Sequence, residues 1–338
     1  MTVRFQAQEQ QAQLVWLQQA EFKSFTGMQD NAFQFVGDHR HMNLAPTIRD
    51  EAKSLFAHDD PAQRIQWHKF AGHGCSSQAC CVSFLLPLAQ HPEVLSEWID
   101  HVAGVSGAQV EPIEDRHGTP RLIAFEWFPP DTDHLNEASK SGSKPRGANS
   151  TSVDAAIRYR LDGKVRLLLI EWKYIESYGD KRTDRERSGD IARDKRYHNL
   201  WKRPHGPLRA DIGLELREFY LNPWYQLLRQ QMLAYHAETD PLSCYSHVQL
   251  LHISPAANAA LKTINGDAFR QFAGAKGLQE GTLFDVFTAM LDPRFADRFR
   301  SIDIASAFAP VADHPLMHET SAWLRARYPN LFIPEDAA

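Results

Sequence analysis

Apolar residues recur along this chain with two different periods. Through the first hundred residues the spacing is helical. Leu14, Trp16, Leu17 and Phe22 stand among glutamines between Gln6 and about Gly27, which predicts an amphipathic helix. Ser76-Ser77-Gln78 opens a second helical run, ACCVSFLLPLA, with a serine as N-cap. Pro92 begins a third, with Val94, Leu95, Trp98, Ile99 and Val102 facing inward. The period then changes. Arg121 to Phe128, RLIAFEWF, reads as a strand stopped by Pro129-Pro130, and a polar loop follows from Ser139 to Ser150.

The stretch from Thr151 to Tyr174 reads as a β-hairpin. Its first half alternates and carries one acid, Asp154. Its second half, Val165 to Lys173, is the near-continuous apolar run of a strand buried on both faces, ending in Glu171 and Lys173. Between them Asp162-Gly163 signals a two-residue type I′ turn. Counting outward from that turn pairs Leu161 with Lys164 and sets Asp154 opposite Glu171, with Cβ atoms about 4.5–5.5 Å apart. Period two brings Lys173 to the same face. Two carboxylates so placed repel unless a cation or proton lies between them, and a divalent metal is the simplest resident. An ordinary cross-strand ion pair is the plainer alternative. Glu-x-Lys also occurs at Glu21-Phe22-Lys23 and Glu51-Ala52-Lys53, but in polar, helix-like stretches with no partner acid.

Beyond the hairpin, Asn222-Pro223 caps a helix reaching about His236, with Asn as N-cap and Pro at the first helical position. Trp224, Leu228, Gln231 and Tyr235 form one stripe on it. Tyr245 to Ile253 reads as another strand, and Ala256 to Ala338 as helices and loops. This order suits an α/β fold, a mixed central sheet flanked by helices. It divides into a mainly helical region 1–110 packed on the core, a core 111–255, and a helical C-terminal extension 256–338.

Composition narrows the function classes. Of 338 residues, 43% are hydrophobic, ample for a packed core, and the longest apolar stretch, Cys80 to Ala89, is too short for a membrane span. The first residues lack a signal-peptide layout, and four cysteines show no disulfide spacing, so a reducing cytoplasm is expected. Net charge is −5, so contact with nucleic acid needs locally concentrated positive charge. Lys181 to Arg203 supplies it, with nine Lys or Arg against four acids, among them Lys181, Arg182, Arg193, Lys195 and Arg196.

Asp154 followed by Glu171-Trp172-Lys173 resembles the motif of the PD-(D/E)XK nuclease superfamily. The phrases TSVDAAIRY, LLLIEWKYIESYG and HGCSSQACC are similar to those of restriction-endonuclease-like bacterial proteins of that superfamily. The resemblance implies a restriction-endonuclease-like core and metal-dependent hydrolysis of DNA, in restriction, defence or repair. Asp154 and Glu171 would bind Mg²⁺, or Mn²⁺ in its place, with the Trp172 carbonyl as a further ligand, and Lys173 would orient water or stabilise charge. A third acid upstream is common in such proteins; Glu137 is favoured here over Glu126 and Glu97. Gln231-x-x-x-Tyr235 resembles the glutamine-tyrosine motif of RecB-like members, which faces the active site. The basic residues would hold DNA phosphates, and a homodimer is one assembly this allows. Three other readings stand beside it: a nucleic-acid-binding module on an inactive nuclease core, a thiol hydrolase using Cys75 near His73, and a zinc site from His39, His41, His73 and Cys75.

Overall fold

The computed structural model describes residues 2–56, 65, 67–115, 117–129, 133–137, 151–183 and 187–332. Among them the chain runs through α1 (Thr2–Leu17), the strand pair β1 (Thr26–Gln29) and β2 (Ala32–Phe35), then α2 (Arg49–Phe56), α3 (Ser77–Ala89) and α4 (Pro92–Ala103). Short strands follow: β3 (Gln109–Glu111), β4 (Ile113–Glu114), β5 (Pro120–Arg121) and β6 (Ala124–Trp127). The central hairpin is β7 (Val153–Leu161) and β8 (Lys164–Trp172). After it come α5 (Asp190–Tyr197), α6 (Trp224–Thr239), β9 (His247–Ser254), α7 (Ala259–Lys262), α8 (Asp267–Ala275) and α9 (Leu283–Met290). The chain closes with β10 (Phe299–Asp303), α10 (Ile304–Phe308) and α11 (His318–Arg327).

Six strands form a mixed sheet in the order β10-β9-β8-β7-β3, with β6 also on β7. The pairs β10–β9 and β9–β8 are parallel; β8–β7, β7–β3 and β7–β6 are antiparallel. Helices flank both faces. The turn forms as the sequence dictates: Asp162 and Gly163 take φ of +51° and +74°, the left-handed pair a type I′ turn requires, and Leu161 pairs with Lys164. Strand β8 is buried on both faces because each face meets a core. Leu168, Ile170 and Trp172 enter one core with α3 and α4; Leu167 and Leu169 enter the other with α6 and α9.

The outer thirds of the chain are part of this body. One core joins Phe5 of α1, Phe84 of α3, Trp172 of β8 and Tyr328 beyond α11. Helix α1 seals the segment after β8, with Gln6 Nε2 donating to the Ile175 carbonyl at 2.6 Å and the Tyr174 hydroxyl donating to Glu9. The C-terminal range is not purely helical, since β10 extends the sheet along β9. The N-terminal helix stops at Leu17, and β1 begins at Thr26 where more helix was expected. At α6 the expected Asn222 cap does not form; Pro223 holds the N-cap position with no side-chain bond.

Candidate active site

The β7–β8 ladder runs from the turn to Ala155 opposite Ile170. At the next step the Asp154 carboxylate takes over, accepting from the Trp172 N–H at 2.7 Å. Asp154, Glu171, Trp172 and Lys173 all line a cavity of about 660 Å³ at this end of the sheet. Strand β6 adds a third acid. Phe125 pairs with Ala155 and Trp127 with Val153, so Glu126 stands across from Asp154. Its φ of +51° reverses the alternation there: Ala124 and Trp127 both enter one core while Phe125 enters the other. A non-glycine residue held in that conformation costs about 1–3 kcal/mol, so neighbours must fix it. Gln78 Nε2 donates to Glu126 Oε1 at 2.8 Å, and His68 Nε2 lies 3.1 Å from the same oxygen.

Three carboxylates in adjacent strands make a field that the nearby cation only partly answers. Burial and the facing Glu171 push the Asp154 carboxyl well above its usual range, against the opposing pull of Lys173. Burial disfavours the Lys173 charge too, yet Glu171, Tyr178 and Asp154 outweigh it and hold this ammonium well above the ordinary lysine value. Lys173 Nζ donates to Glu171 Oε1. Helix α6 supplies the remaining donors: Gln226 Nε2 reaches Glu171 Oε1 at 2.6 Å, and Gln230 Nε2 reaches Oε2. The buried carboxylate is therefore gripped on both oxygens. Asp154 differs, because among the described residues no donor reaches its Oδ1.

Glu137 is not in this cavity. Its buried carboxylate accepts from the Thr151 N–H and hydroxyl, from the Tyr197 hydroxyl at 2.5 Å and from Arg229 Nη2 at 3.0 Å. With these donors and Arg229 Nε at 3.2 Å it ties the start of β7 to α5 and α6, which is a structural post. Of the upstream acids it is Glu126, not the favoured Glu137, that lines the cavity with Asp154. Glu97 is excluded more simply, lying exposed on the outer side of α4. Glu137→Ala is expected to strand the Arg229 guanidinium and cost about 3–5 kcal/mol, the usual penalty for removing one member of a buried pair. A thermal melt that does not fall would mean water replaces the carboxylate.

On helix α6 the face toward the cavity lies one residue away from Gln231. Gln226, Arg229 and Gln230 line the cavity, whereas Gln231 and Tyr235 do not. Gln231 turns into the protein, with neither amide atom bonded, and the Tyr235 hydroxyl donates to the Pro204 carbonyl at 3.3 Å. Replacing a buried, unbonded amide by a shape-matched apolar group relieves about 1–3 kcal/mol. Gln231→Met should accordingly melt higher than wild type with unchanged activity; a lower melting point would show that the amide has a partner.

None of Lys181, Arg182, Arg193, Lys195 and Arg196 lines the cavity. Arg182 and Arg193 both pair with Asp190, and their guanidiniums stack in an Arg–Tyr ladder. Arg182 and Arg193 lie 5.5 and 5.6 Å from the Tyr220 ring, and Arg193 and Arg229 each 5.1 Å from Tyr225. The segment is a braced strut whose acids neutralise much of its charge. Lys181 and Lys195 are exposed on it. Cys75 does line the cavity, but burial pushes its thiol up to about 12, and His73 Nδ1 accepts from the Cys75 backbone N–H at 3.1 Å. A protonated thiol with no aimed base is a poor nucleophile. For zinc, as for any metal held by side chains alone, no group of three or more His, Cys, Asp or Glu suited to an ion occurs among the described residues.

Sequence reasoning missed His68, Gln78, Gln226, Arg229 and Gln230. Only the last three carried a signal, polar residues spaced three and four apart on one helix face.

The family match places this chain, with its central hairpin between flanking helices, in a restriction-endonuclease-like class of proteins. Residues 11–329 match the family described as restriction endonuclease associating with ARP, and the chain belongs to that family. No curated protein matches the chain, and no solved structure does.

Proposed function

We propose that this protein is a Mg²⁺-dependent nuclease of the PD-(D/E)XK type, hydrolysing DNA phosphodiester bonds in the cavity of Asp154, Glu171 and Lys173. One observation carries this: adjacent strands turn two carboxylates and a buried ammonium into a single cavity at the end of the sheet. Family membership supports the nuclease class and DNA as substrate. The family description also names an association with ARP, which we read as a partner in the system where the nuclease acts.

The donor set fits a hard divalent cation. Asp154 Oδ1, the Glu171 carboxylate and the Trp172 carbonyl are all oxygen donors. Mg²⁺ keeps several waters and needs only one or two carboxylates, so a cluster of three protein acids is not required. When bound, the ion supplies Lewis-acid polarisation of phosphate and water. The chain's own residues do the rest. Asp154 and Glu171 would hold the cation, and the burial and facing Glu171 that raise the Asp154 carboxyl are what a cation between the two would offset. Lys173 keeps a fixed positive charge inside a poorly solvated cavity, where it orients the attacking water or meets charge developing on the phosphate. Gln226 and Gln230 set the Glu171 rotamer.

The test is incubation with plasmid and with linear DNA in Mg²⁺ or Mn²⁺ against EDTA. Cleavage in metal alone is expected; cleavage unaffected by EDTA would end the proposal. The grip of three donors on Glu171 favours one second reading, a DNA-binding protein on an inactive core. Under that reading calorimetry shows no Mg²⁺ binding and no product forms. Compartment is part of the proposal as well. All four cysteines are free, which suits a reducing cytoplasm, and among the described residues no helix is long and apolar enough to cross a membrane.

A further inference from the structure

Phe70 is exposed over 56% of its surface, yet it sits on the rim of the cavity that Asp154 and Glu171 line. The segment presenting it is held firmly. His68 N–H donates to Gln78 Oε1 at 2.8 Å, and the Phe35 N–H donates to the Gly72 carbonyl at 3.0 Å. Asn43 Nδ2 donates to the carbonyls of Ala71 and His73 at 2.9 and 2.8 Å. Only glycine fits at the two closest approaches: a Cβ on Gly72 would meet the Phe35 carbonyl oxygen at 2.3 Å, and one on Gly74 would meet Gln13 at 2.8 Å. An apolar ring displayed by so constrained a backbone cannot retreat into a core. Beside it Lys69 Nζ lies 5.2 Å from the ring centroid, with Asp30 4.0 Å away. An exposed aromatic ring with an ammonium over one face is a pairing by which proteins hold an unpaired base and its backbone.

We infer that Phe70 is a stacking platform for an unpaired base beside the scissile phosphate, so that the substrate is DNA with single-stranded character at the cut. This rests on the nuclease proposed above. Bases inside an intact duplex are stacked on both faces and offer none to Phe70, whereas a base in a single strand, bulge or frayed end does.

The experiment uses the full chain and oligonucleotides carrying one 2-aminopurine, in a single strand, a one-base bulge and an intact duplex. Binding is read in EDTA by affinity and by quenching of the stacked base. Wild type and Phe70→Trp should bind and quench the single-stranded and bulged probes. Phe70→Ala should bind them between about 5-fold and 150-fold more weakly, the range for losing one base–aromatic stack, and lose the quench. Leu242→Ala, which removes an apolar side chain 95% exposed elsewhere, should match wild type. The platform is overturned if Phe70→Ala keeps affinity and quenching, or weakens duplex binding equally. Preference for an RNA strand over its DNA counterpart would overturn the substrate class. Cleavage in Mg²⁺ separates the two claims. A wild type that cuts, with Phe70→Ala cutting single strands equally fast, sinks the platform and leaves the nuclease. A wild type that stacks the probe but never cuts sinks the nuclease and leaves the platform.

Discussion

Asp154→Asn is expected to melt at a higher temperature than wild type and to cut no DNA. Both halves follow from one geometry. In the free protein Asp154 faces Glu171 and Glu126 across adjacent strands, and its carboxyl is pushed up by burial and then by Glu171. A carboxyl whose folded pKa is raised holds more protons folded than unfolded, so its contribution to stability falls as pH rises. The loss begins in the ordinary aspartate range, at about 4, and is complete above the raised value. Above the raised value wild type carries that cost in full, and the amide does not. Its carbonyl oxygen still accepts from the Trp172 N–H, so the hairpin end keeps its bond. Each kcal/mol relieved is worth about 2–4 °C. The gap between the two melting curves should close in acid below about pH 4, where Asp154 is protonated in both folded and unfolded chains. Added Mg²⁺ should raise the wild-type melting point and leave the variant's unmoved, since only a state that binds ligand is stabilised by it. Activity should fall by at least the about 10²–10³-fold typical of losing a single electrostatic group. An Asp154→Asn protein that melts below wild type would show that the cavity holds this carboxylate comfortably and has no need of a metal.

The hairpin was legible because its information is local. Asp162-Gly163 is a two-residue code for one turn, and the turn sets every pair up to Ala155 and Ile170 by counting. The buried stripe of α4 was legible for a similar reason: Val94, Leu95, Trp98, Ile99 and Val102 contrast with polar neighbours, and all five are buried. Helix α6 offered no such contrast. Gln226, Gln230 and Gln231 are chemically identical, and the apolar stripe through Trp224, Leu228 and Tyr235 carried Gln231 with it into the core. The polar face one step round is the one that meets Glu171. The third acid was undecidable from spacing, since Glu126 and Glu137 both precede Asp154. What sets Glu126 across from Asp154 is a left-handed backbone in β6 and a cross-strand position, both fixed by long-range pairing. For the basic segment a count of charges could not show how they pair: Asp190 and Asp194, both in α5, bind Arg182, Arg193 and Arg217. Strand β10 escaped notice since FRSID is short and joins the sheet only through a parallel edge of β9.

Lys173→Ala separates chemistry from metal binding and should give the opposite thermodynamic signature from Asp154→Asn. The Lys173 side chain is 12% exposed and its Nζ donates to Glu171 Oε1, so it occupies an oxygen that a divalent cation needs. Without it Mg²⁺ affinity should hold or tighten. In EDTA the variant should melt below wild type, because Asp154 and Glu171 then face each other with no positive charge between them. Saturating Mg²⁺ should recover most of that loss. Cleavage should nonetheless fall by about 10²–10³-fold, since the water or the transition-state charge has lost a fixed partner that bulk solvent cannot replace in a poorly solvated cavity. DNA affinity measured in Ca²⁺ should change little, because a buried ammonium already engaged by a carboxylate contributes little to phosphate binding. The three readouts are calorimetry, melting with and without metal, and single-turnover cleavage. Wild-type cleavage by Lys173→Ala would reduce Lys173 and Glu171 to an ordinary ion pair at the end of a strand, and with it the chemistry proposed for the hairpin would fail.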